Sequence, residues 1–535
     1  MRIVLSGASR SFGASLVLSD VTLSVPTEAR IGIVGPNGVG KSTLLRLLSG
    51  VEEPDVGTVT REPATIRVGY LPQEPDAREG ESLLGLFSRR TGVAAAEWDL
   101  ESAATALAHD PRAAVAYEAA LDRLVALGGG DVEARARALA AEIGLGVELE
   151  RPAAELSGGE LARASLASIL LSRHDILALD EPTNDLDFDG LARLESFLDD
   201  FPGGLVVVSH DRAFLDHCVD RVVAIDPITR TAREYAGGWT AYAERRAAEH
   251  ATAWARFDRA DERQRHLTGL LSERQTQARA GGAMASRRGT KALTSKVSQV
   301  KRLIKNMEDA PKPVEPWELR LSLVESRRTG DVVVELDRAV AAVGHFTLGP
   351  VDLRLIRGER LSIVGANGSG KSTLLRMLIG MQALVSGRRR VGPQTEIGMI
   401  GQDRDEYDGP RQLIDVFRDG TGLEGEPART LLAKFGLAEA HVERACATLS
   451  PGERTRAYLA ALQSRGVNVI VLDEPSNHLD LDAVEQLEQA LASYTGTVVV
   501  VSHDRRFLDE LAPTGRSPCH GDCHSTGRTC KPPGP

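Results

Sequence analysis

GPNGVGKSTLLRLLSG at residues 35–50 returns as GANGSGKSTLLRMLIG at 365–380, an offset of 330. The spacing GxxxxGK[ST] puts glycines where a backbone must wrap phosphate oxygens, ahead of a helix whose N-terminus carries partial positive charge. The runs RIGIVG (30–35) and RLSIVG (360–365) lead into the loops as short apolar strands. Strand, phosphate loop and helix together predict an α/β fold, and here the unit occurs twice. Gly35, Asn37, Gly38, Gly40 and Thr43 would line one nucleotide site, and Gly365, Asn367, Gly368, Gly370 and Thr373 the other. Lys41 and Lys371 would reach the β- and γ-phosphates, and Ser42 and Ser372 would bind Mg²⁺.

Three further segments recur in the same order. LSGGE (156–160) returns as LSPGE (449–453), LALDEPTNDLD (177–187) as VLDEPSNHLD (471–480), and VVVSHDRAFLD (206–216) as VVVSHDRRFLD (499–509), each offset by 293. The first half therefore carries about 37 extra residues between Gln73 and Ser157. Matching SLLGLFSRRTG (82–92) to QLIDVFRDGTG (412–422) places them at about 93–131. They read as helical, through EWDLESAATALA and RAAVAYEAALDRLVAL, with Asp110-Pro111 as the break.

Apolar strands ILALDE and VIVLDE run straight into paired acids. An isolated Asp-Glu pair is usually surface charge; one at the end of an apolar strand faces a site. Asp180 and Asp473 would hold Mg²⁺, directly or through water, while Glu181 and Glu474 would orient or deprotonate an attacking water. Phosphoryl transfer needs such positioning and charge neutralisation more than covalent catalysis.

The motif order resembles that of ATP-binding-cassette ATPases over residues 1–511, with LSGGE as their signature. The resemblance implies that Gln73 and Gln402 sense Mg²⁺ and γ-phosphate, that His210 and His503 are switch histidines, and that Asp187 and Asp480 close the D-loops. Cassettes of this family pair head to tail, so Lys41 would work with Ser450, Gly452 and Glu453 of the second signature. Lys371 would work with Ser157, Gly158, Gly159 and Glu160 of the first. Pairing within one chain predicts a monomer. Phe12 fits the adenine-stacking aromatic, whereas the offset of 330 lands on Ala342, with Phe346 nearby. Pro451 replaces a signature glycine and removes one N–H donor. Asp185 stands where the second copy has His478. The two sites are therefore expected to be unequal.

Between the halves, about 239–315, the chain is rich in Arg, Ala, Glu and Gln and poor in strand formers. It predicts a long helical hairpin with a flexible tip near Ala278–Ala285, closed by Pro311, Pro313 and Pro316. From Arg274 to Lys305 there are nine basic residues (Arg274, Arg279, Arg287, Arg288, Lys291, Lys296, Lys301, Arg302 and Lys305) and no acid, in a chain of net charge −11. Such a local concentration favours a phosphate backbone, although charge runs are more often solvated faces.

Two cassettes, a helical arm in the first and a basic helical linker resemble the ABC-F family, which implies action on the ribosome, with rRNA and peptidyl-tRNA met through the linker. Some members are translation factors and others protect ribosomes from antibiotics; the Arg/Ala/Gly-rich composition and diverged signature resemble actinobacterial resistance members. An exporter's ATPase subunit and a DNA-associated ATPase remain alternatives. No run approaches the ~20 apolar residues of a membrane span, and MRIVLSGASRSFG has no apolar signal core, so a cytoplasmic location without stable membrane insertion is expected. Cys218 and Cys446 read as isolated reduced thiols. Cys519, His520, Cys523, His524 and Cys530 offer zinc-like ligands, but residues 512–535 lack the apolar content of a core and are expected to be a disordered or frameshifted tail.

Overall fold

The computed structural model describes residues 1–73, 77–172, 174–184, 186–281, 330–401, 407–477, 479–511 and 515–518. It divides into two units, Met1–Trp239 with Glu318–Pro535, and Thr240–Trp317.

Each cassette of the first unit is built on two sheets. In the first cassette a sheet runs Val68–Leu71, Ile176–Asp180, Gly204–Val208, Arg30–Val34, Arg221–Ile225, Ala232–Ala236. Its pairs are parallel apart from the last, Arg221–Ile225 with Ala232–Ala236. Ile176–Asp180 and Gly204–Val208 are buried along their whole length, which is why they read as unbroken apolar runs without alternation. Beside it lies an antiparallel sheet of Ser15–Pro26, Arg2–Phe12 and Val56–Glu62. Ile3, Leu5, Val25, Ile31, Ile33 and Leu44 join both sheets to the phosphate-loop helix in one core.

The second cassette repeats this plan. Its parallel sheet runs Ile397–Ile400, Val469–Asp473, Thr497–Val501, Arg360–Val364, Gly515–Pro518. In both cassettes the strand before the phosphate loop, the strand ending in paired acids and the strand before the histidine lie in one sheet. Their carboxyl ends therefore share one edge, where a parallel α/β sheet builds its ligand crevice.

Two expectations change. Gly515–Pro518 pairs parallel with Arg360–Val364, the place Arg221–Ile225 takes in the first cassette, so the tail expected to be disordered from residue 512 contributes a strand. A ladder needs only backbone N–H and C=O groups, so a segment without apolar side chains can still supply one. Residues 519–535, with all the candidate zinc ligands, lie outside the described residues. The linker begins as one continuous helix, Trp239–Gly281, of 43 residues, about 65 Å at 1.5 Å per residue. It runs through Ala278–Gly281, the first half of the expected flexible tip. The rest of the predicted hairpin lies outside the described residues.

In the arm region, helices Val93–Leu107 and Ala114–Ala126 are tied by an Arg123–Asp99 ion pair at 3.1 Å. Between them Asp110 accepts from the Arg112 N–H at 2.9 Å, starting a short turn of 3₁₀ helix at Pro111. In the second cassette helix Leu413–Thr421 passes almost directly to Glu426–Lys434, with no such pair between.

Candidate functional site

Both phosphate loops close onto their own lysine. Lys41 Nζ donates to the Gly35 carbonyl at 2.7 Å and lies 3.3 Å from Asn37 Oδ1; Lys371 Nζ donates to the Gly365 carbonyl at 2.8 Å. Gly40 and Gly370 sit at φ 114° and 96°, a region that excludes ordinary side chains. A Cβ there would come within 2.8 Å of Val17 and 2.9 Å of Phe346 respectively, so glycine is required twice over. Burial pulls Lys41 below its ordinary pKa, against the opposing pull of Glu181, Asp480 and Asp180.

The acids follow at the sheet edge. Glu181 and Glu474 hold left-handed backbones, φ 50° and 46°, uncommon outside glycine and matched in the two copies. Each accepts from the backbone N–H of its histidine, His210 at 3.2 Å and His503 at 3.3 Å. The ring Nε2 of His210 lies 3.1 Å from Glu181 Oε1, and that of His503 3.4 Å from Glu474 Oε1. Burial raises both carboxyls to about 7, although the neighbouring lysine acts against it. Burial, with Lys371 adding to it, drives His503 down to about 4, so its ring is neutral at pH 7.

The two cassettes complete each other's sites. Asp187 caps its own helix Phe188–Asp200 by accepting from Gly190 N–H at 3.0 Å, and with its other oxygen accepts from Asn367 N–H of the second phosphate loop at 3.0 Å. Asp480 does the same for helix Leu481–Ser493, taking Ala483 N–H at 3.0 Å and Asn37 N–H at 3.3 Å. A D-loop aspartate thus touches the phosphate loop opposite it in both directions.

The resulting clefts differ. One of about 680 Å³ is lined by Asn367, Gly368, Gly370, Lys371, Ser372, Thr373, Asp473, Glu474 and His503, with Ser157, Gly159 and Glu160 from the first signature. The other, about 570 Å³, is lined by Phe12, Asn37, Gly38, Gly40, Lys41, Ser42, Thr43, Gln73, Asp180, Glu181 and His210, and by Pro451 from the second signature. Ser450, Gly452 and Glu453, expected beside Lys41, are not among its lining residues. Both signature helices nevertheless start alike. Ser157 and Glu160 form a capping box, as do Ser450 and Glu453, and Gly158 and Pro451 take the first helical position. Proline is tolerated there because that N–H lacks an intrahelical partner, but it offers no donor to a ligand. Gln402, Asp185 and His478 lie outside the described residues.

The sites also contain residues that the repeat offset alone did not place. Phe346 and Val343 line the Lys371 cleft, where the repeat offset had pointed to Ala342. The hairpin turn explains the mismatch: Phe12 pairs with Ser15 and Val343 with Phe346, so the aromatic has moved to the other side of the turn. Phe12 is 45% exposed, with the Arg10 guanidinium 5.2 Å from its ring centre. Arg163 lines the Lys371 cleft and Asn184 both clefts; the shared EPTN/EPSN segments were the signal for the asparagine.

A divalent cation suits the donors present. Asp180 Oδ1 is buried and accepts no hydrogen bond, the Ser42 hydroxyl is a neighbour of that carboxylate, and burial raises its pKa. Carboxylate and hydroxyl oxygens are the hard ligands that Mg²⁺ takes.

Comparison with known proteins agrees with this architecture. Residues 18–184 and 348–477 match the ABC transporter family. The chain is 32% identical to the energy-dependent translational throttle protein EttA of Mycobacterium tuberculosis, over 94% of this chain and 88% of that one. It is 35% identical to the tylosin resistance ATP-binding protein TlrC of Streptomyces fradiae, over 95% of both. Among solved structures, archaeal ribosome recycling factor aABCE1 in complex with stalk protein aP1 superposes with a TM-score of 0.59 at 20% identity, over 94% of this chain and 86% of that one, a likeness of fold. Among the described residues no helix is long and apolar enough to cross a membrane.

Proposed function

We propose, from the premise that this chain belongs to the ABC-F family of paired ATP-binding cassettes, that it is a ribosome-acting ATPase that protects the ribosome from an antibiotic. The observation that carries the ATPase reading is the reciprocal grip of Asp187 and Asp480 on the opposite phosphate loops. Two ATP molecules would be held between the cassettes, keeping them closed until hydrolysis releases them.

Lys41 and Lys371 neutralise the developing negative charge. Glu181 and Glu474, with pKa raised to about 7, accept a proton from water as its oxygen bonds to the γ-phosphorus and the bond to the β–γ bridging oxygen breaks. His210 and His503, through their backbone N–H groups, hold those carboxylates in place. Ser42 with Asp180, and Ser372 with Asp473, would hold Mg²⁺, which supplies charge neutralisation across the phosphates.

Action on the ribosome is supported by the similarity to the translational throttle protein and by the acid-free basic stretch Arg274–Lys305. Protection is supported by the match to the tylosin resistance protein over 95% of each chain. Similarity to the throttle protein favours a second reading, a housekeeping translation factor. Co-sedimentation of the Glu181→Gln/Glu474→Gln double variant with ribosomes in ATP tests the class: retention is expected, and absence from the ribosomal pellet would sink it. Drug susceptibility of a sensitive host expressing the chain separates protection from housekeeping.

A further inference from the structure

The helix that follows each D-loop makes a second contact across the cassette interface, away from the nucleotide. Asp480 caps helix Leu481–Ser493 and takes the Asn37 N–H. Eight residues along the same helix, about 12 Å at 1.5 Å per residue, Glu488 binds Arg212 of the first cassette. The pair is bidentate: Arg212 Nη1 donates at 2.9 Å and Nη2 donates to the other carboxylate oxygen. Arg212 stands two residues after His210, whose backbone N–H holds Glu181. One helix of the second cassette therefore grips the Lys41 site twice, once at its phosphate loop and once at its histidine segment.

The opposite site is gripped in the same way. Asp187 caps helix Phe188–Asp200 and takes the Asn367 N–H, while Glu195 of that helix binds Arg505 at 2.9 and 3.1 Å. Arg505 stands two residues after His503, which holds Glu474. The offset of 293 carries Arg212 onto Arg505 and Glu195 onto Glu488, so the repeat preserves both partners. The copies differ in burial. The Arg212 and Glu488 side chains are 3% and 10% exposed, those of Arg505 and Glu195 36% and 14%.

We propose that Arg212 and Arg505 are positioning residues for hydrolysis: each ion pair joins the histidine segment of one cassette to the D-loop helix of the other, so the glutamate is held for catalysis only while the cassettes are paired. Glu488 and Glu195 are their partners, and the buried Arg212–Glu488 pair carries the larger share. This rests on the ATPase reading above.

The test is steady-state ATP turnover of the Lys41 site, read in a full chain carrying Glu474→Gln, with separate kcat and KM, beside nucleotide binding. Arg212→Ala is expected to lower that kcat on the order of tenfold, less than the ~100-fold that a 1 Å misplacement can cost, with KM moving less than about threefold. Arg212→Lys should recover part of the loss, and Arg212→Glu with Glu488→Arg more than either reversal alone. Folded Arg212→Ala with the kcat of its Glu474→Gln parent would overturn the proposal. So would a loss in which binding and kcat fall together and no charge reversal restores them, since that is a structural effect. If Arg212→Ala does not fold, Glu488→Gln is read instead: reduced kcat with retained binding supports the proposal, and unchanged kcat overturns it. Absence of turnover in the unaltered chain would count against the ATPase reading, and is distinguished by that control.

Discussion

The Lys371 and Lys41 sites are made from the same parts with unequal finish. Around Lys371, Ser157, Gly159, Glu160 and Arg163 of the first cassette's signature segment line the cleft, and the Phe188 ring packs edge-on against His503 at 5.2 Å. Around Lys41, Pro451 takes that face and Leu481 stands at the repeat position of Phe188. The trans ion pairs go the other way, because the buried one serves Lys41. One site thus has the fuller lining from the opposite signature segment, the other the more buried clamp. The lesson is that duplication preserved the buried glutamate and its histidine in both, while the surface contributed in trans differs between them.

Four outcomes would sharpen or break this comparison. The largest effect is expected from Glu474→Gln, which should cut steady-state turnover by about 100-fold or more if the Lys371 site carries most hydrolysis. Glu181→Gln should cost less, and equal losses would erase the asymmetry. Next, Pro451→Gly restores an N–H donor beside the Lys41 cleft, and turnover at that site, read in the Glu474→Gln background, should rise several-fold, up to about tenfold. Gly158→Pro, its mirror, should lower turnover; no change in either would show that this donor is not used.

The raised carboxyls predict a pH dependence of both sites. The competent base is the ionised form, so turnover should climb from about pH 6 to about pH 8 through the midpoint near 7 and then level off. The linkage has the opposite sign for folding. With folded values near 7 against an ordinary 4.5, the proton-linked contribution to stability is full below about 4.5 and is lost as pH rises through 7. Thermal unfolding of the nucleotide-free chain should show that loss, and Glu181→Gln/Glu474→Gln should flatten it.

The remaining effects concern the ion pairs and folding. Glu488→Ala should destabilise the cassette pair by about 3 kcal/mol, because it leaves Arg212 buried without that partner. Glu195→Ala, with a more exposed arginine, should cost about 1 kcal/mol or less. Chemical denaturation of the two variants side by side would reverse the burial argument if the order were inverted.

Periodicity and spacing made most of the candidate site legible. Lys41, Asp180, Glu181 and His210 each follow an apolar strand in a motif repeated at a constant offset, and a strand end in a parallel sheet is a place chemistry can occupy. The extra piece near 93–131 was legible from the change in offset, and the structure has its helix pair there. Phe346 was harder, because a hairpin lets an aromatic cross from one side of a turn to the other without keeping register with its repeat.

Sequence by itself determined the α/β class, the duplication, the phosphate loops and the acids, since these depend on local backbone demands and on burial of whole strands. Tertiary structure alone decided which residues meet across the cassettes. The pairing of Asn37 with Asp480 spans 443 residues and that of Arg212 with Glu488 spans 276, and no local periodicity encodes such contacts. It also placed Gly515–Pro518 as a closing strand, because a ladder is made by backbone groups, which composition does not report. The exposure of each ion pair, and with it the expected inequality of the two clamps, follows from packing at the interface rather than from the residues, which are the same in both copies.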